Sequence, residues 1–70
     1  MTFIGWIDFS TAMISVNREE NGFVCEKYSR GGFKVPGAEN FCTSKEELKD
    51  FLYSFPNPPI DIIENLLERL

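Results

Sequence analysis

Seventy residues carry a formal net charge of −4, from seven basic and eleven acidic side chains, with no histidine. An acidic chain is a poor match for a nucleic-acid phosphate backbone, and no apolar run approaches the roughly 20 residues that cross a bilayer. With 43% hydrophobic residues, among them seven Phe, two Tyr and one Trp, the chain is too apolar for a disordered segment and sized for a single domain, residues 1–70, with one core.

Met1-Thr2-Phe3-Ile4 lacks the basic and apolar regions of a signal peptide. A cytosolic protein is therefore expected. Residues 2 to 8 read as a strand, with Phe3, Gly5 and Ile7 on one face and Thr2, Ile4, Trp6 and Asp8 on the other. Phe9 to Ala12 connects it to a second strand, Met13 to Asn17, in which Ile14 and Val16 alternate against Ser15 and Asn17. Arg18 to Gly22 is read as a turn, because Asn21-Gly22 between alternating apolar runs is a hairpin signal. A third strand, Phe23 to Tyr28, is set with Phe23 and Cys25 inward, the alternative being Val24 inward. Ser29 to Gly32 forms the next turn. A fourth strand begins at Phe33 to Val35, is interrupted by Pro36-Gly37 and resumes over Ala38 to Phe41. Proline has no N–H to give a central ladder, so this strand belongs at an edge or carries a bulge.

Thr43 or Ser44 then caps a helix, with Ser44-Lys45-Glu46-Glu47 fitting a capping box. Leu48, Phe51, Leu52 and Phe55 make its apolar stripe, and Pro56 stops it. Asn57 is the expected cap of a second helix, with Pro58 and Pro59 in its first turn and Ile60, Ile63, Leu66 or Leu67, and Leu70 on its apolar side. The expected fold is α+β: a four-stranded antiparallel sheet with two C-terminal helices packed on one face.

Nothing in this pattern is arranged for catalysis. There is no histidine to act as a general base or to activate Cys25 or Cys42, and those two cysteines have no metal-ligand spacing. They are read as reduced, buried structural residues, with a disulfide as the alternative. Glu46, Glu47, Asp50, Asp61 and Glu64 fall on helix starts and outer faces. Gly31-Gly32 lacks the lysine and helix of a phosphate-binding loop. Lys27, Arg30 and Lys34 beside Phe33 are read as solvated surface rather than a nucleic-acid contact. No enzyme activity, cofactor, metal or direct nucleic-acid partner is expected.

The face that the helices leave open is the candidate site. On this parity it presents Ile4, Trp6, Asp8, Ser15, Asn17, Val24, Glu26 and Tyr28. Aromatic side chains dominate protein-binding hot spots, which makes Trp6 the natural anchor. The competing reading buries Trp6 partly in the core or against a dimer partner. The surplus acids serve either a basic partner or simple solubility.

The chain also resembles a known family, the small phage anti-CRISPR proteins of the first type I-F class. The resemblance runs in order through Met1-Thr2-Phe3-Ile4 and Trp6, Ile14-Ser15-Val16, Glu20-Asn21-Gly22, Gly37-Ala38 with Phe41, Ser44 before Glu46-Glu47-Leu48, Phe51-Leu52-Tyr53 before Phe55-Pro56, and Ile63-Glu64-Asn65. It implies a protein acting in the host bacterial cytoplasm, as a monomer or weak dimer. Such a protein binds the repeated backbone subunits of a type I CRISPR surveillance complex and hinders pairing of target DNA with the guide RNA. The implied contacts lie on the sheet face away from the helices. The first-strand aromatic carries over to Trp6, the contact at the end of the second strand to Asn17 or Glu19, and the acidic third-strand contact to the region of Glu26 or Tyr28. The family has an aromatic where this chain has Asn17 or Glu19. A weaker resemblance, to the HicB-type antitoxin core, rests on Asn21-Gly22-Phe23-Val24, Val35-Pro36-Gly37-Ala38 and Thr43 with Glu46-Glu47-Leu48. The second helix here stands where that core has a closing strand.

Overall fold

A computed structural model describes residues 1–70. The elements are β1 (Thr2–Asp8), β2 (Met13–Glu19), β3 (Gly22–Tyr28), β4 (Asn40–Cys42), α1 (Lys45–Tyr53) and α2 (Ile60–Glu68). The strands form one antiparallel sheet in the order β1-β2-β3-β4. Both helices pack on the same face, giving the expected α+β architecture.

Each strand sends its alternate residues under the helices. Ile7 of β1, Ile14 and Val16 of β2, Phe23 and Cys25 of β3 and Cys42 of β4 meet Leu48 and Leu52 of α1 and Ile63, Leu66 and Leu67 of α2 in a single core. Complete burial of a side chain the size of leucine or isoleucine is worth about 1.5–3 kcal/mol, so these contacts dominate stability. Phe9, outside the strands, completes the core and stacks on Phe55 with ring centroids 4.7 Å apart. Phe51, Phe55 and Leu70 are partly buried against the same cluster.

The connections differ in detail from the sequence reading. The β1–β2 turn closes through reciprocal backbone bonds between Phe9 and Ala12, at 2.9 and 3.3 Å. Strand β2 runs on to Glu19, so the β2–β3 turn shrinks to Glu20-Asn21 and Gly22 joins β3 opposite Glu19. Gly22 is required there because it lies against the end of β4. Its φ is +153°, and an added Cβ would stand 2.1 Å from the Cys42 carbonyl oxygen.

Strand β4 is shorter than the sequence suggests. Lys34 makes one isolated bridge to Tyr28, and the regular ladder resumes only at Asn40 to Cys42. The Pro36-Gly37 step, with Gly37 at φ +74°, carries the chain away from β3 in between. The edge position expected for this strand is correct.

Ser44 is the N-cap of α1 and accepts the Glu47 amide at 3.1 Å, while Glu47 accepts the Thr43 amide at 2.8 Å. The capping box is therefore reciprocal, with the glutamate reaching one residue beyond the cap. That bond from the Thr43 amide holds Glu47 below the usual glutamate range.

Asn57 does not cap α2. It takes a left-handed φ of 51°, and Pro59 is the N-cap, with no side-chain bond. Pro59 disfavours helical geometry at Pro58, so the helix starts only after the proline pair. Ile60, the first residue of the helix, is 55% exposed and does not join the core expected of it.

Gly22→Ala is expected to lose about 3 kcal/mol through backbone strain and steric conflict, read from the midpoint of chemical denaturation. Ser44→Ala is expected to lose about 1 kcal/mol. Because the folded-state pKa of Glu47 is depressed, its contribution is complete above the ordinary glutamate value of about 4.3 and is lost as pH falls through the folded value. Glu47→Gln should therefore lower stability at neutral pH and flatten the acid limb of the stability curve.

Candidate protein-binding face

The open face is set by a bulge in β1. Phe3 pairs with Asn17 and Gly5 with Val16, which leaves Ile4 without a partner opposite β2. One extra residue reverses the alternation on its N-terminal side. Phe3 consequently joins Trp6 on the open face, and Ile4 turns to pack against the core. The expectation that Ile4 belongs to the binding face and Phe3 to the core is thus corrected. Gly5, where the strand bends, lets α2 approach: an added Cβ would lie 3.1 Å from the Arg69 guanidinium and 3.2 Å from Leu66.

From Gly5 onward the register holds the expected outward set together. Trp6, Ser15 and Glu26 stand in one cross-strand row, and Asp8, Met13 and Tyr28 in the next. The Trp6 ring bridges the rows, meeting Tyr28 edge-on at 5.1 Å and Phe3 at 5.5 Å. Toward the other edge Val24 pairs with Phe41 of β4. Phe3, Trp6 and Phe41 remain 52%, 43% and 51% exposed. Trp6 is therefore a surface ring with aromatic neighbours, not a core residue.

The middle of the face is polar and dry. Ser15, Asn17 and Glu26 lie on the expected side but are only 3%, 6% and 8% exposed, below the taller neighbouring side chains. Asn17 Nδ2 donates to Ser15 Oγ and to the Val24 carbonyl, both at 3.2 Å, and Ser15 Oγ donates to the Glu26 carbonyl at 3.4 Å. These bonds satisfy groups that would otherwise be unpaired in a water-poor layer. Glu19, half-buried at the end of β2, shares the face and lies 3.8 Å from the chain amino group.

Two cations from the segment between β3 and β4 complete the electrostatics. Lys34 Nζ lies 2.8 Å from Glu26 and 3.9 Å from Glu39. Arg30 Nη1 lies 2.5 Å from Asp8 and donates to the Phe9 carbonyl at 2.9 Å. The hydrogen bond to Glu26 raises the Lys34 pKa, and the bond to Asp8 raises that of Arg30. Under the sheet, Cys25 and Cys42 are free, buried thiols, and burial followed by the neighbouring Cys42 pushes Cys25 up to about 12.

Two members of the face lie outside the sequence-based set. Phe3 was hidden by the bulge, for which a glycine inside a strand was the available signal. Phe41 was legible from Cys42, since an inward cysteine puts its neighbour outward.

No family model, curated protein or solved structure matches the chain.

The polar strip predicts a measurable structural role for Asn17. Asn17→Ala is expected to cost about 1–2 kcal/mol in a denaturation series, by removing its bond to Ser15 within β2 and its bond across to Val24 of β3.

Proposed function

We propose that this protein is a non-catalytic inhibitor that seats its open sheet face on the backbone subunits of a type I CRISPR surveillance complex and hinders target-DNA binding. The observation that carries a binding role is the solvent-facing aromatic group Phe3, Trp6 and Tyr28, with Phe41 at the other edge of the same face. Large rings held by their neighbours present contact area with little freedom left to lose on binding. The choice of partner rests on the ordered sequence resemblance to the type I-F anti-CRISPR proteins, and it places the protein in the cytoplasm of a phage-infected host. The bond network among Ser15, Asn17 and Glu26 supports a rigid platform. The rings of Phe3, Trp6 and Phe41 are exposed for contact, while the carboxylates of Asp8 and Glu26 carry Arg30 and Lys34.

The test is retention of a purified type I-F surveillance complex on the immobilised protein. Wild type is expected to retain the complex. Trp6→Ala is expected to weaken retention by about 30-fold, the loss of a 2 kcal/mol hot spot. The variant should stay folded, losing about 1–2 kcal/mol of ring pairing. A wild-type chain that retains no complex would remove the partner, and an unfolded Trp6→Ala variant would make the ring a structural element. Copurification with a basic ribonuclease instead would favour the HicB-type antitoxin reading.

A further inference from the structure

The open face holds four outward carboxylates, on Asp8, Glu19, Glu26 and Glu39, and only two side-chain bases reach them. Both bases, Arg30 and Lys34, come from the same connection between β3 and β4. Each lies on an acid beside the aromatic group: Asp8 shares a row with Tyr28, and Glu26 shares one with Trp6. A π face next to a carboxylate is the chemistry that takes a guanidinium or ammonium group. The chain's own cations already occupy those positions.

We propose that the β3–β4 connection is an internal latch: Arg30 and Lys34 hold the acidic positions that a cationic partner surface takes, and the partner engages this face by displacing them. This rests on the reading of the open face as the binding surface and adds both the chemistry of the occupant and a control over its access. Charge complementarity sets the occupant as a basic protein surface presenting arginine. The latch is built to open. The side chains of Arg30 and Lys34 are half exposed, and exposed ion pairs contribute little to stability. The backbone of the connection is held independently, by Val35 N–H to the Lys27 carbonyl at 2.9 Å and Ser29 N–H to the Phe33 carbonyl at 2.8 Å. Release therefore needs only side-chain rotation, with no unfolding of the loop. Glu26 is the more selective position, because its side chain is only 11% exposed and is poorly served by water once Lys34 leaves.

The test uses the full chain, its single tryptophan as the fluorescent reporter, and a blocked tri-arginine peptide as the probe, at low ionic strength. Wild type is expected to bind weakly. Arg30→Gln combined with Lys34→Gln should bind about tenfold more tightly. Lys45→Gln combined with Lys49→Gln changes the net charge equally on α1 and should stay within about twofold of wild type. Arg30→Gln alone, which frees the half-exposed Asp8, should show part of the gain and guards against a folding defect at Glu26. Equal affinity in wild type and the Arg30/Lys34 variant, or an equal gain in the α1 control, overturns the latch. Probe binding undetectable in all four proteins overturns the cationic occupant and the latch with it. Retention of the surveillance complex is read separately. Lost retention with a preserved peptide gain discards the named partner alone, and preserved retention without a gain discards the latch alone.

Discussion

A four-stranded sheet has two faces, and two nine-residue helices are enough to cover one. Everything else follows from that single-sided burial. Ile7, Ile14, Val16 and Cys25 face Leu48, Leu52, Ile63 and Leu66 because these are the apolar surfaces the chain has to hide. The opposite face must then live beside water with whatever the alternation leaves there. A core of this size leaves little stability in reserve, so each connection that fixes the register matters. The Gly22 contact with Cys42 and the reciprocal cap at Ser44 and Glu47 belong to this group.

The open face is neither a plain solvated surface nor a greasy one. Its centre is a hydrogen-bonded strip of Ser15, Asn17 and Glu26, sheltered by rings on one side and by Val24 and Phe41 on the other. The short, buried Ser15 between them on β2 leaves room for Trp6 of β1 to reach Tyr28 of β3. The result is a shallow surface with rings held by their neighbours and with Asp8 and Glu26 paired to cations of the same chain.

Much of this was legible in the residues. The β-β-β-β-α-α order, the inward set of β3, the edge position of β4 and the cap at Ser44 all follow from alternation, proline placement and a capping motif. Those signals are local and obey fixed periods. The misreadings share a different cause. Ile4 and Phe3 exchanged faces because a bulge adds one residue to a strict two-residue period, and a glycine alone does not say on which side the slip occurs. Ile60 keeps the helical phase of Ile63 and Leu67 yet stays exposed as the first residue of α2, because periodicity does not say how far along a helix its cover extends. The dryness of Ser15, Asn17 and Glu26 was not readable at all, since it depends on the heights of neighbours on other strands. The pairings Arg30 to Asp8 and Lys34 to Glu26 depend on the same tertiary placement.

The approach of α2 to Gly5 has a consequence for how the chain assembles. Strand order equals chain order, so each strand pairing closes only a short loop, and such loops are inexpensive in entropy. The seat of Leu66 and Arg69 against Gly5 is different, because it joins nearly the first residues to nearly the last. That closure spans almost the whole polypeptide. A nascent chain can form the three-stranded meander early, and α1 covers the side of β3 and β4, but the apolar side of β1 waits for the final helix. The domain is therefore complete only when both ends are present, and its first strand waits on its last turn.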